Sequence, residues 1–325
     1  MLPRCQYFLK TGDTSLFKDE ELEKLRVFLQ TDQSGAEALI VAYDCEAKLY
    51  RQLFENKVKP HVYVALRLFP EDWKKKIKEH SIPVDTDEID TLCATPIPLL
   101  KQNPAWKEID SLIKLSDNWP TSSRFYYFAK QTVHSGNYDI QANTFQMNVL
   151  EKSGGKVILT KEQSRDFLEM YRGIFPEIPE RNQRIKRQVD ETKVIYNMFG
   201  FPYVITAAHF SERTYKEYYA WGPQSTVGEI TRIAFSSLYN YIRDNTLQWD
   251  ILADTHDSYL VQCPLLSVDV CAQKMKEFMN QEFTSPVDGV KFNMRSETQI
   301  GFNWAPYYSN DPEKNPLGLR EVNWL

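Results

Sequence analysis

No stretch of this 325-residue chain approaches the roughly 20 consecutive apolar residues that span a bilayer, and the opening Met-Leu-Pro-Arg-Cys is no secretory signal. An intracellular, cytoplasmic location with no membrane partner is therefore expected. Cysteine is scarce: five residues (Cys5, Cys45, Cys93, Cys263, Cys271), an odd number without Cys-X-X-Cys spacing. That pattern argues against a disulfide framework and a zinc site and predicts reduced, mostly buried thiols. Internal repeats and low-complexity tracts are absent. Positive charge is short as well, with a net charge of −5, although contacts to phosphate need Lys and Arg. The placement of the cations matters more than their sum. Lys74-Lys75-Lys76-Ile-Lys78 reads as a solvated helix face, whereas Arg181-Asn-Gln-Arg184-Ile-Lys186-Arg187 suits such a face and contact with DNA equally. Asp19-Glu20-Glu21 and the stretch from Asp85 to Asp90 are expected to face away from any duplex.

What is present is a globular composition, 42% hydrophobic and 13% aromatic, in a chain long enough for two lobes. A helix at Lys18 to Lys24 leads into a short strand, Val27 to Leu29, and Ala36 opens a helix with an apolar stripe. After the apolar segment His61 to Phe69, prolines at 70, 83, 96, 98, 104 and 120 divide residues 70–120 into short elements joined by turns. A helix is expected from Ser122 to His134. Thr160-Lys-Glu-Gln163 has the form of a capping box that opens a helix to Gly173, and Pro176 to Asn197 reads as another. Tyr203-Val-Ile-Thr is strand-like. Glu212 to Trp221 and Gln224 to Arg243 read as one helix broken at Gly222-Pro223, which would present Gln224, Ser225 and Thr226 at a helix start. Ser267 to Phe283 is amphipathic, with Val270, Met275, Phe278 and Met279 expected inward.

Two carboxylates stand where such elements meet. Trp249 to Cys263 reads as a β-hairpin with apolar flanks and His256-Asp257-Ser258 at its tip. Read alone, that tripeptide is more often a solvated turn. Asp32 lies where the strand Val27 to Leu29 gives way to the helix from Ala36. The two acids can share an ion only if the fold pairs their strands. Between them, Tyr127, Lys130 and His134 fall on neighbouring helical turns, with Tyr138 in reach if the helix passes Gly136. Alone, Lys130 would be a surface lysine and His134 a core histidine.

Asp-Gln-Ser-Gly-Ala-Glu at 32–37 resembles the first palm motif of family A DNA polymerases, the relatives of bacterial DNA polymerase I, where Asp-X-Ser-Gln-X-Glu is usual. Thr255-His256-Asp257-Ser258 resembles the third motif in the Ser variant of phage enzymes. Lys130-Gln-Thr-Val-His134-Ser-Gly-Asn-Tyr138 is similar to the phage form of the second, and Pro223-Gln-Ser-Thr226 to a template-contacting motif. With the closing Gly301-Phe-Asn-Trp304, the likeness runs from about residue 25 to the end.

The resemblance implies an α+β right-hand fold: an antiparallel palm sheet backed by helices, and mostly helical fingers. It allots residues 1–60 and 200–325 to the palm and 61–199 to the fingers, with an insertion near 70–120. It implies a DNA-directed DNA polymerase acting on primer-template DNA and dNTPs. Two Mg²⁺ ions would be held by Asp32, Asp257 and the main-chain carbonyl of Gln33. Lys130 would serve catalysis on the triphosphate. Glu37, His134, Tyr138 and Arg124 would bind the nucleotide, Arg124 replacing an arginine absent at Tyr126, and Gln224, Ser225, Thr226 and His256 would touch primer or template. Gly35, Leu39 and Asp139 depart from the usual pattern, and Asp139 places a carboxylate near phosphate. Glu37 disfavours an RNA polymerase on the same scaffold, because it would crowd a ribose 2′-hydroxyl. The altered arginines leave a non-catalytic nucleic-acid-binding subunit as a further alternative. With about thirty residues before Asp32, a separate chain carrying the thumb or a 3′–5′ exonuclease is an expected partner.

Overall fold

The computed structural model describes residues 2–116, 124–206, 211–309 and 311–325; Pro120 and Ser122, expected to end one region and open the next, lie outside the described residues. In chain order the elements begin with α1 (Leu2–Thr11), α2 (Asp19–Lys24), β1 (Arg26–Gln33), α3 (Ala36–Asp44), α4 (Lys48–Glu55) and α5 (Pro60–Leu68). There follow α6 (Pro70–Glu79), α7 (Glu88–Ala94), α8 (Ile97–Leu100), α9 (Trp106–Leu115), α10 (Phe125–Gly136), α11 (Ala142–Lys152), α12 (Lys161–Ile174) and α13 (Glu177–Thr192). The rest is β2 (Val194–Tyr196), β3 (Pro202–Val204), α14 (Glu212–Asp244), β4 (Asp250–Thr255), β5 (Ser258–Pro264), α15 (Val268–Met279), β6 (Glu282–Thr284), β7 (Lys291–Asn293), β8 (Ser296–Gly301) and β9 (Arg320–Glu321). The fold is α+β, and its chain divides into two compact units: residues 1–37, 224–285 and 289–325, and residues 38–223 with 286–288.

The first unit is built on an antiparallel sheet of order β4-β5-β1-β8-β9. Alternation along β1 buries Val27, Leu29 and Thr31 on one side and leaves Phe28, Gln30 and Asp32 half-buried or exposed on the other. Tyr259 and Val261 of β5 and Thr298 and Ile300 of β8 share the buried face, against which α15 sets Cys271, Ala272, Met275 and Met279. Each such apolar side chain contributes about 1.5–3 kcal/mol on burial. One polar link ties the helix to the sheet, the Tyr259 hydroxyl donating to Met275 O at 2.8 Å, and within the sheet the Thr31 and Thr298 hydroxyls meet at 2.9 Å. Val270, expected inward, is 49% exposed, because α15 starts at Val268 and its buried stripe runs through 271, 275 and 279 instead.

The second unit is helical. The segment from His61, rich in β-branched residues, is the helix α5: Pro60 occupies its first turn and Val62 to Leu66 are all buried. Residues 70–115 form α6 to α9. Around α5 and α10 gather Phe69, Trp73, Phe125 and Phe128, with Phe69 and Phe125 ring centroids 4.7 Å apart. The capping box is made as expected: Thr160 Oγ1 accepts from Gln163 N at 3.0 Å and the Gln163 side chain accepts from Thr160 N at 2.9 Å. Helix α13 stops at Thr192, short of Asn197, where Lys193 turns to φ 59°.

The expected break at Gly222-Pro223 does not occur; α14 runs through it. Pro223 lacks an N–H and leaves the carbonyl four residues earlier, Tyr219 O, without its helical donor. The fully buried Arg181 supplies one: its Nη2 donates to Tyr219 O at 3.2 Å, while Nε pairs with Asp44. Arg184 also donates to Asp44, so two residues of the second basic cluster hold structure together. In the first cluster Lys74, Lys75 and Lys76 pair with Glu71, Asp90 and Glu79, as a solvated helix face would.

Candidate active site

The tip of the β4–β5 hairpin is His256-Asp257, between the paired residues Thr255 and Ser258. Neither turn residue has positive φ, unlike the turns that best match strand twist in two-residue hairpins. The tip is held from outside instead. Gln33 N donates to Asp257 O at 2.9 Å, and Thr231 Oγ1 of α14 donates to His256 O at 3.2 Å. Ser258 is fixed by Thr255 Oγ1 at 2.5 Å and Gln30 Nε2 at 3.2 Å.

These links bring the two predicted aspartates to one end of the sheet. Asp32 lies opposite Ser258 on one flank and opposite Glu297 on the other, and Asp257 precedes Ser258. Burial pushes the Asp32 carboxyl up to about 6, helped by the negative charges of Asp257 and Glu297. Among the described residues no three His, Cys, Asp or Glu side chains converge closely enough to enclose a metal ion. Gln33 turns its buried side chain to α14, donating to Thr231 Oγ1 at 2.7 Å and Val227 O at 3.2 Å.

In the same unit, Glu37 lies in the first turn of α3 and its Oε1 is 3.7 Å from His256 Nε2. On α14, Gln224 is exposed, Ser225 half-buried and Thr226 buried. They occupy a helix interior, so the backbone N–H groups of a helix start are not on offer there.

In the helical unit, α10 carries Lys130 and His134, both exposed, and ends at Gly136. Tyr138, expected on a continued helix, follows in a turn and is 5% exposed, its ring edge-on to His134 at 5.8 Å. Arg124 precedes α10 with its guanidinium 4.8 Å from the Tyr127 ring centroid. The surroundings are electropositive: burial, then Lys130, Lys59 and His134, push the His61 imidazole down to about 4. The carboxylate of Asp139 is neutralised by Arg172 at 2.9 Å.

In each unit some supports of the candidate residues are not visible in the sequence. Gly136 is required because a Cβ there would lie 2.2 Å from the Tyr171 ring, and Tyr171 in turn donates to Asn137 Oδ1 at 2.6 Å. Thr231 and Glu297 belong to no motif; the hydrogen bond from α14 to His256 O reveals the first and the strand register the second.

No family model matches the sequence, and no curated protein matches it. The fold does have a counterpart: the POL domain of Pol1 from M. smegmatis, solved in complex with DNA primer-template and dNTP. The likeness has a TM-score of 0.56 at 16% identity and covers 85% of this chain. This chain spans 39% of that one. Among the described residues no helix is long and apolar enough to cross a membrane. What the chain shares with that domain is its α+β fold.

Proposed function

We propose that the chain is the palm and fingers of a template-directed DNA polymerase, transferring dNMP from a dNTP to a primer 3′-hydroxyl. The observation that carries this reading is the seating of Asp32 and Asp257 at one sheet end, with the Asp32 carboxyl raised to about 6 by burial and neighbouring negative charge. Carboxylates crowded in this way attract a cation. Asp32, Asp257 and the Gln33 carbonyl are hard oxygen donors, which suits Mg²⁺, an ion that keeps positions for water and substrate phosphates. When bound, two such ions supply Lewis-acid stabilisation of the attacking and leaving oxygens.

The chain's own groups do the rest. Lys130, in an electropositive setting, balances charge on the β and γ phosphates and can pass a proton to the departing pyrophosphate. Arg124 joins it on the triphosphate, His134 borders the sugar and Tyr138 the nascent base pair. Glu37 stands against a 2′-hydroxyl, favouring deoxynucleotides. Gln224, Ser225, Thr226 and His256 serve primer and template. Asp257→Asn is expected to abolish primer extension in Mg²⁺ while DNA binding, measured by anisotropy, stays within a few-fold. Extension by that variant at the wild-type rate would overturn the assignment.

A further inference from the structure

The strand register places a third carboxylate beside the proposed pair. Glu297 of β8 is the direct cross-strand partner of Asp32, so both side chains leave the sheet on the same face, the one opposite α15. Like charges directly opposite on a sheet destabilise it unless something positive lies between them. Three other β1–β8 pairs hold no charge: Thr31 with Thr298, Gln30 with Gln299 and Leu29 with Ile300. Their hydroxyl, amide and alkyl groups match in kind, which makes the Asp32–Glu297 pair the exception in the strand. Glu297 is exposed and has no ion-pair partner among the described residues.

We infer that Glu297 is a positioning residue of the cation site, acting on the ion through its water shell. This rests on the polymerase reading given above. An outer-shell role follows from two facts: among the described residues no three carboxylates converge as direct ligands, and Mg²⁺ sheds its waters reluctantly, so a carboxylate beyond the first layer accepts hydrogen bonds from them. The rigid centre of the sheet sets its reach. Asp32 and Glu297 sit on paired backbones, and Ser34 N donates to Arg295 O at 2.8 Å just beyond them, closing the strand ends together.

The test is calorimetric titration of the full chain with Mg²⁺ and with Mn²⁺, beside primer extension. Loss of one outer-shell partner is expected to weaken divalent-ion affinity about tenfold in Glu297→Gln. The Mg²⁺ concentration for half-maximal extension should rise in parallel, with the rate at saturating Mg²⁺ largely retained. Glu297→Asp should recover part of the affinity, and Gln299→Ala, two positions along the same face, should leave it unchanged. A wild-type chain that binds Mg²⁺ and extends primers while Glu297→Gln does both identically would overturn this inference and leave the polymerase reading standing. A wild-type chain that binds no divalent ion and extends nothing would overturn both.

Discussion

At the scale of single residues the decisive number is the Asp32 carboxyl at about 6, against an ordinary value of 3.8. A folded-state value above the unfolded one means that the fold favours the protonated acid. Stability from this group is therefore complete below pH 4 and is lost as pH rises through 6. Because the Asp32 side chain is only partly buried and still reaches solvent, screening reduces the effect to about 1 kcal/mol. Asp32→Asn is thus expected to melt higher than the wild type at pH 7 without divalent cations, and to match it at pH 4. Thermal denaturation at the two pH values checks this; a variant no more stable at pH 7 would mean that the acid is not under strain from its neighbours. In the proposed polymerase reaction the order reverses: proton and cation compete for this carboxyl, so extension should fall as pH drops, and should fall at a higher pH when Mg²⁺ is scarce. Glu37 gives a second residue-scale outcome. Its carboxylate stands at the head of α3, 3.7 Å from His256, and Glu37→Ala should raise ribonucleotide incorporation relative to deoxynucleotide. An unchanged ratio in a competition assay would mean that the carboxylate does not face the sugar.

Among the elements, α14 shows what a sequence pattern conceals. Gly222-Pro223 is a sound stop signal in isolation, and the helix passes it only because a side chain from a distant helix replaces the missing donor. Arg181 looked like a candidate for phosphate because charge is visible in a sequence and burial is not. The hairpin, the capping box at Thr160 and the core of β1 at Val27 to Leu29 were legible because each is settled by local chemistry, whereas the extension of that strand through Asp32 to Gln33 comes from its pairing with β5 and β8. The Arg181 patch can be measured. Arg181→Leu removes one of the two cations that hold Asp44 among the described residues and leaves it to Arg184 alone, at a cost of about 1–3 kcal/mol. Pro223→Ala restores an N–H for Tyr219 O, so it should stabilise the Arg181→Leu background by about 1 kcal/mol more than the wild type. A thermal double-mutant cycle that is additive within about 0.5 kcal/mol would show that the arginine does not serve the proline.

Over the whole molecule, the candidate site is legible only as far as its motifs reach. Asp32 and Asp257 announce themselves by residue type and setting, whereas Glu297 and Thr231 acquire meaning from pairings across most of the chain, such as Thr31 with Thr298, 267 positions apart. The same distance governs folding. Strand β1 is central, with β5 and β8 on its two sides, and it cannot gain its hydrogen bonds until chain ends separated by the entire helical unit have met. Closing so long a loop must precede any reward from pairing, and non-local sheets are slow for this reason. Helices α5 and α10, whose contacts are nearer in sequence, can form their aromatic cluster first. In pulse-labelled hydrogen exchange during refolding, the amides of Val64 and Ala129 should therefore gain protection before those of Leu29 and Thr31. Protection of β1 in the same kinetic phase as α5 would mean that the sheet nucleates early, and that the acids are brought together before the helical unit has a core.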